Sequence, residues 1–253
     1  YIFMKKTIST VFIALMAFGA FAQQKVLFKL APEDNKPIKY EVINKMDVDG
    51  PQTLIMDMQM HLDLTFNQAN DTLLNVTGKY TSAKMDLDAG MMTASFDSSK
   101  EPETEMEKAF SSQFKPLLEN TLTYTMNKSG KVLEVDFPNV SEQIFDKSSI
   151  NSMGVVYPSH PIAVGESWTS ESGMEQLGVT AKAKYTVLEK AAEGYKIDSD
   201  VVLEDATGNS VGTVKGYFIV HPKTFLTVAS STETSLSMQG ATIKSTNDLK
   251  IIQ

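Results

Sequence analysis

The sequence of 253 residues carries 31 acidic side chains against 23 basic ones, and its formal net charge of −8 argues against binding to a nucleic-acid backbone. Apart from three histidines every basic residue is lysine, so the bidentate clamp that arginine makes on carboxylates and phosphates is excluded. Cysteine is absent, which excludes disulfides, thiol nucleophiles, thiolate metal sites and the lipid-modified cysteine of a bacterial lipoprotein.

Residues 1–22 have the three parts of a secretory signal. Met4 precedes two lysines, an apolar run extends from Val11 to Phe18, and Ala20-Phe21-Ala22 supplies the small residues of a cleavage site. The run is shorter than the ~20 apolar residues of a membrane span. We therefore expect cleavage after Ala22 and export of one β-rich domain, residues 23–253, as a soluble protein of the periplasm or the extracellular space.

The clearest periodic pattern in the chain predicts a long strand. Its even positions are all apolar: Leu54, Met56, Met58, Met60, Leu62, Leu64 and Phe66. Alternation puts these side chains on one face, in the core, and the odd ones largely in water. A strand well beyond the usual five or six residues is typical of curved sheets and barrels.

The neighbours of this strand are also predicted to be strands. Residues 38–48 precede it, with a polar turn at Asp47-Val48-Asp49-Gly50 between the two. Residues 72–80 follow it, and the apolar residues then change parity after Tyr80. One extra residue in a strand reverses the facing of everything after it, so we expect a β-bulge near Ser82.

The middle segment, residues 103–150, has helical character. Thr104 and Glu107 match a capping box, and Met106, Phe110, Phe114 and Leu117 follow at helical spacing. We expect a helix from about Glu105 that is kinked or ends near Pro116. A hairpin over 122–135 and a second short helix over 141–147 follow, and residues 148–173 are expected to be irregular.

The remaining chain alternates in five further stretches, bounded by turns rich in Gly, Asn and Pro. They span residues 179–188, 195–203, 211–220, 225–236 and 241–252. Consecutive hairpins favour an antiparallel meander. The predicted fold class is α+β, mainly antiparallel β, with a curved sheet that forms an open barrel or half-barrel and one or two helices from the middle segment. Both one body and two β lobes are compatible with the pattern.

Three motifs carry a resemblance to a known family. They are Tyr124-Thr125-Met126-Asn127 with Gly130-Lys131-Val132, then Pro161 to Trp168, then Gly216 to Val220. With these motifs the sequence resembles a family of exported bacterial proteins known only as a domain of unknown function. The resemblance implies export and supplies no activity. A more distant likeness, in strand number and helical insertion, is to the periplasmic lipoprotein carriers, whose curved sheet holds acyl chains.

Three fragments suggest other kinds of site, each with a simpler interpretation. Met56, Met58 and Met60 beside His61 would suit Cu(I), but in a strand His61 points to the opposite face, which favours a core role for the methionines. No recognisable nucleophile accompanies the three histidines, which argues against a hydrolytic catalytic triad. Asp pairs at 47/49 and 86/88 lack the remaining ligands of a calcium loop. We therefore expect no catalytic residue, no metal and no cofactor.

Two functions remain open. The leading hypothesis is a non-enzymatic binder of an apolar or amphipathic, lipid-like small molecule in the concave sheet. The alternative is a structural or protein-interaction module of the envelope with a filled core. The candidate ligand-binding residues are Met56, Met58, Met60, Leu62, Phe110, Phe114 and Trp168. For Trp168, anchoring of a long connection on the core is the competing and favoured role.

Overall fold

A computed structural model describes residues 24–51, 53–141, 145, 150, 153–174, 178–238 and 240–252. The predicted signal, residues 1–22, therefore lies outside the described residues. In the described part the chain forms twelve strands and one helix. They are β1 Pro37–Asp49, β2 Leu54–Gln68, β3 Leu73–Asp88, β4 Thr93–Asp97, α1 Glu105–Glu119, β5 Leu122–Asn127, β6 Val132–Asp136, β7 Ser167–Met174, β8 Val179–Lys190, β9 Tyr195–Asp205, β10 Ser210–Val220, β11 Thr227–Met238 and β12 Ala241–Ile252.

All twelve strands belong to one antiparallel sheet. Its order is β6-β5-β3-β2-β1-β12-β11-β10-β9-β8-β7, with β4 paired to the second half of β3. The N-terminal and C-terminal halves are joined through β1 and β12, which pair continuously from Lys39–Ile252 to Asp49–Thr242. The sheet is curved and does not close. The predicted α+β class with an open, half-barrel-like sheet is thus confirmed.

Strands β4 and β7 were not predicted. Residues 167–173 were expected to lie in an irregular stretch, but they belong to β7, which pairs with β8 along its whole length. The reason is composition, because β7 is an edge strand in which Trp168 and Met174 are the large apolar residues. A sparsely apolar edge strand gives little alternation to detect.

The bulge in β3 lies where the parity change predicted it. His61 pairs with Ser82 and the next residue of β2, Leu62, pairs with Tyr80, so Thr81 is the extra residue. Buried positions before it are even-numbered, and Ala83 begins the buried odd-numbered set. The prediction of a bulge near Ser82 is confirmed, and the bulge keeps both halves of β3 facing the same core.

Helix α1 begins with the predicted capping box. The Thr104 hydroxyl accepts from the Glu107 backbone N–H at 3.1 Å, and the Glu107 carboxylate accepts from the Thr104 backbone N–H at 3.1 Å. The helix continues shortly past Pro116 and ends at Glu119. Its buried Phe114 stacks on Phe96 of β4 with ring centroids 5.2 Å apart, so α1 covers the β3–β4 part of the sheet.

The second predicted helix, residues 141–147, lies mostly outside the described residues. Ser141 and Phe145 are described, and the Phe145 N–H donates to the Ser141 carbonyl at 3.0 Å. The Phe145 ring packs edge-on against Phe137 at 5.1 Å and against Tyr80 at 6.2 Å. Phe145 therefore belongs to the core formed on β3.

Residues 25–31, which we call the strap, cross one end of the half-barrel. Val26 exchanges two backbone hydrogen bonds of 2.9 Å with Ile162, which lies just before β7. The Leu30 N–H donates to the Lys128 carbonyl at 2.8 Å, in the turn between β5 and β6. Because β7 and β6 are the two edges of the sheet, the strap connects one edge to the other.

A second segment, residues 153–165, helps to close the same end. The Tyr157 N–H donates to the Ser129 carbonyl at 2.7 Å, again in the β5–β6 turn. Trp168 donates its indole N–H to the Val156 carbonyl at 2.8 Å. We call this end of the sheet the closed end, and the opposite end, toward Val48 and Leu54, the open end.

An aromatic cluster fills the closed end beneath the strap. Phe28 of the strap is its centre, with ring centroids 5.4 Å from Tyr157, 6.4 Å from Trp168, 5.1 Å from Tyr195 and 5.3 Å from Phe225. Edge-to-face and offset-stacked pairs of this kind add to the hydrophobic term. The strap is thus held by side-chain packing as well as by backbone hydrogen bonds.

Candidate functional site

The inner face of the sheet changes character along strand β2. At the closed end Leu62, Leu64 and Phe66 are buried, with exposed fractions of 0%, 4% and 3%. Toward the open end the same face carries Met56, Met58 and Met60, which are half-buried and pack against the edge of the core. The candidate site therefore begins where the packed interior ends.

Strand register places two rows of residues side by side on this face. One row crosses the sheet as Met58, Asn44, Asn247, Thr232, Gly216 and Ser199, and the next as Met56, Met46, Ser245, Thr234, Val214 and Val201. We call these twelve residues the open-end face; Ser199 and Val201 on β9 are buried and the other ten are half-buried. None of the twelve is charged.

The charged residues of the same strands lie on the other face. Lys45, Asp57, Lys215, Glu233 and Lys244 occupy the alternate positions and are exposed. Charge is thus segregated from the open-end face by the two-residue period of the strands. On the outer side, these residues line an open groove of ≈ 510 Å³.

The central strands of the open-end face are polar. Asn44 donates from its side-chain nitrogen to the side-chain oxygen of Asn247 at 2.6 Å, across the β1–β12 pair. A carboxamide has two N–H donors and a two-lone-pair oxygen, so this pair has capacity for more hydrogen bonds than the one it shares. Ser245, Thr232 and Thr234 continue the polar surface on β12 and β11.

Two glycines of β10 leave the floor of the inner face without side chains. A Cβ on Gly216 would lie 2.0 Å from the Ser231 carbonyl oxygen, and one on Gly212 would lie 2.4 Å from the Ser235 carbonyl oxygen. Only glycine permits so close an approach of β10 to β11. Glycines in strand interiors often mark bends, and here Gly216 belongs to the open-end face and Gly212 lies next to it on β10.

The closed end, by contrast, has little space. Its cavity is ≈ 60 Å³ and is lined by residues such as Tyr40, Leu64 and Tyr124. Small-molecule pockets are usually of about 300 Å³ or more, so this cavity has room for water rather than for a ligand. Burial raises the pKa of Tyr40 and Tyr124 above the ordinary value for tyrosine, and the Tyr40 hydroxyl donates to the Thr227 carbonyl at 2.9 Å.

The candidate residues named from the sequence fall into two groups. Met56 and Met58 lie on the open-end face and Met60 adjoins it, whereas Leu62 is fully buried on the same strand. Trp168 is 7% exposed in the closed-end cluster, where its contacts are those of an anchor.

The two helix residues lie over β3 and β4 rather than over the open-end face. Phe110 is half-buried, and Phe114 is stacked on Phe96. The structure therefore brings the methionines together but places Leu62, Phe114 and Trp168 in packed cores. The polar residues Asn44 and Asn247 were missed, because only the register of β1 with β12 brings them together.

His61 lies on the face opposite to the methionines, as the alternation predicted. Its Nδ1 is 2.9 Å from the Ser82 hydroxyl and its Nε2 is 3.6 Å from a Glu41 carboxylate oxygen. The hydrogen bond from Lys250 is the main cause that lowers the pKa of Glu41. Within the described ranges, no group of three or more His, Cys, Asp or Glu side chains is placed to hold a metal ion.

No helix among the described residues combines the length and the apolar character that crossing a bilayer requires.

Comparisons with known proteins match part of the chain to a family and most of the chain to a solved structure. The model of a "Family of unknown function (DUF6263)" matches residues 71–140, from the start of β3 to just beyond β6. The predicted likeness to a family without assigned function is thereby confirmed. No curated protein matches the sequence.

Among solved structures, one that describes lipid–protein interactions in lipovitellin aligns with a TM-score of 0.58 at 11% identity, over 87% of this chain. The chain spans 25% of the lipovitellin chain, and at this identity the match shows a shared fold alone.

Two further structures align with low scores. A putative outer membrane lipoprotein-sorting protein domain from Vibrio parahaemolyticus gives a TM-score of 0.27 at 9% identity, over 84% of this chain and 85% of that one. A DUF1329 family protein from Desulfovibrio piger gives 0.22 at 5% identity, over 85% and 86%. Scores this low support no inference about function.

Proposed function

We propose that this protein is an exported, non-enzymatic binder of an apolar or amphipathic small molecule, held against the open-end face of its sheet. One observation carries the proposal. The inner face is covered by the strap, the aromatic cluster and residues 153–165 at the closed end, whereas Met56, Met58 and Val214 are only half-buried at the open end.

Half-buried apolar side chains on an uncharged face favour such a ligand energetically. Removing apolar surface from water contributes about 25 cal/mol per Å², so a ligand that completes the burial of these side chains gains free energy. Methionine suits this role because its flexible thioether adapts to guests of different shape. The lack of charge on the open-end face means that a bound apolar chain desolvates no ion there.

Two further considerations support the proposal. Lipovitellin, whose fold this chain shares in part, is described by a structure of lipid–protein interactions. The open-end face includes no histidine, carboxylate or lysine, and so offers no side chain of the kinds that most often act as general acid or base. Action outside the cytoplasm follows from the signal pattern in residues 1–22.

The proposal is tested by a matched pair of charge insertions on strand β10. Val214→Asp puts a carboxylate on the open-end face, and Thr213→Asp puts one on the outer face of the same strand. Nile red, an uncharged dye, reports binding by fluorescence in protein purified without detergent. We expect Val214→Asp to weaken dye binding at least tenfold and Thr213→Asp to leave it within twofold.

Thermal melts of both variants identify any loss of folding. Native mass spectrometry and solvent extraction of protein from its own host would show a co-purified apolar molecule. A parent protein that binds no dye and carries no such molecule contradicts the proposal.

The alternative is a protein-interaction module with a filled core. The ≈ 60 Å³ cavity at the closed end favours it, since the chain itself already packs the interior there. The mixed-charge groove of ≈ 510 Å³ on the outer face would then be the surface of interest. A negative outcome of the dye and extraction experiments leaves this function as the one to pursue.

A further inference from the structure

We infer that a polar strip inside the open-end face recognises an uncharged, hydrogen-bonding headgroup of the ligand, such as the hydroxyl groups of an acylglycerol. The polar strip consists of Asn44 on β1, Asn247 and Ser245 on β12, and Thr232 and Thr234 on β11. The inference rests on the proposed function and narrows its ligand from any apolar molecule to a neutral amphiphile.

Apolar residues flank the polar strip across the sheet and along β12, while Ser230 continues it along β11 and Gly216 of β10 adjoins Thr232. Met58 and Val214 lie beside it in the rows across the sheet. Along β12, Ile243 precedes it and Leu249 follows it on the same face. The inner face of a sheet ordinarily carries apolar residues at such positions, so a group of amides and hydroxyls among them is a departure that functional sites typically show.

The side chains of the polar strip are small and half-buried. Asn44, Asn247, Ser245, Thr232 and Thr234 are neither fully covered nor fully exposed. The Asn44–Asn247 hydrogen bond of 2.6 Å fixes the two amides to each other across the strand pair. A fixed amide pair with remaining donors and acceptors, next to hydroxyls that are both donor and acceptor, matches the pattern of a polyol or an amide.

The charge distribution selects against an ionic headgroup. A fatty-acid carboxylate or a phosphate on the polar strip would need a cation, yet Lys45 and Lys244 lie at alternate positions, on the outer face. Asp248 and Glu233 likewise face outward, so a cationic headgroup meets no carboxylate either. Burying an unpaired ion is far more costly than burying a hydroxyl that finds hydrogen-bond partners.

The experiment compares two lipids with one chain length and different headgroups. Monolaurin carries two hydroxyl groups, and laurate carries a carboxylate that is ionised at pH 8. Each is titrated against the complex of the parent protein with Nile red, below the concentration at which it forms micelles. We expect monolaurin to displace the dye at a concentration at least tenfold lower than laurate.

Two variants tie that preference to the polar strip. Asn247→Leu removes one amide, and Thr232→Val removes a hydroxyl with little change of shape, so the second variant stays informative if the first folds poorly. In both, we expect the preference for monolaurin over laurate to fall to threefold or less. Thr246→Leu, on the outer face of the same strand, is the matched control and should keep the parent preference.

The outcomes separate the inference from the proposed function. Dye binding with equal or stronger displacement by laurate, or with no displacement by either lipid, overturns the inference and leaves the binder proposal standing. A parent protein that binds no dye and carries no co-purified apolar molecule overturns both. A preference that survives in both polar-strip variants overturns the assignment of the headgroup site to these residues.

Discussion

Strand β2 carries one alternating pattern through two different surroundings. At the closed end its inner residues Leu62, Leu64 and Phe66 are buried, while at the open end Met56 and Met58 are half-exposed. The strand conformation is the same in both parts, and the covering differs, because the strap and residues 153–165 reach only the closed end. The two-residue alternation of a strand therefore predicts which of its faces points inward. It does not predict which other segments of the chain cover that face.

The largest expected difference between the two ends is in how much the free energy of unfolding falls when an inner side chain is shortened to alanine. Leu62→Ala should lower the free energy of unfolding by about 2–5 kcal/mol, because it opens a cavity in a packed interior. Met58→Ala should lower it by about 1–2 kcal/mol, since that side chain is already partly in water and its site can rehydrate. Urea denaturation of both variants measures the two values. Equal losses would mean that both ends are equally filled.

Two glycines, one at each end of the sheet, give a second comparison in which the expected losses of stability are smaller. Gly130 has φ +93° and a Cβ there would lie 2.5 Å from the Val155 carbonyl oxygen, where residues 153–165 meet the β5–β6 turn. Gly90, at the open end, has φ +76° and nothing within 4 Å of such a Cβ. Gly90→Ala should cost about 1 kcal/mol for the backbone conformation alone.

Gly130→Ala should lower the free energy of unfolding by about 2–3 kcal/mol, because the clash with Val155 adds to the same backbone strain. The difference between the two variants, measured by thermal or urea unfolding, isolates the contact between residues 153–165 and the β5–β6 turn. Identical losses would show that residues 153–165 move away easily.

The smallest effect is expected from alkaline pH. Burial raises the pKa of Tyr40, Tyr124 and Tyr157 at the closed end, so the folded state favours their neutral forms. The stability that these tyrosines contribute is fully present below the pKa of tyrosine in the unfolded chain, about 10. It is lost as the pH rises above that value. The melting temperature should therefore fall between pH 9 and pH 11; at pH 10 each of these tyrosines loses about 0.4 kcal/mol of its stabilising contribution, so the three together lose about 1 kcal/mol.

The Tyr124→Phe variant should fall less steeply over the same pH range. A melting temperature that stays constant from pH 9 to pH 11 would contradict the burial of these tyrosines.

Sequence patterns were sufficient for features that depend on neighbouring residues. The long strand, the bulge after Tyr80 and the capping box at Thr104 each leave a signal within a few positions. The polar strip leaves no such signal, because Asn44 and Asn247 are separated by 203 positions and meet only through the β1–β12 register. The role of Phe28 is hidden for the same reason, since its partners Tyr195 and Phe225 lie far along the chain.

The strap has a consequence for the order of folding. Phe28 precedes every strand in the sequence, yet the rings that hold it include Phe225, between β10 and β11. Strand β1 likewise pairs with β12, the last strand. Contacts between residues so far apart close large loops and form slowly. We therefore expect Phe28 to remain exposed until late in folding, when the strands next to its partners have formed.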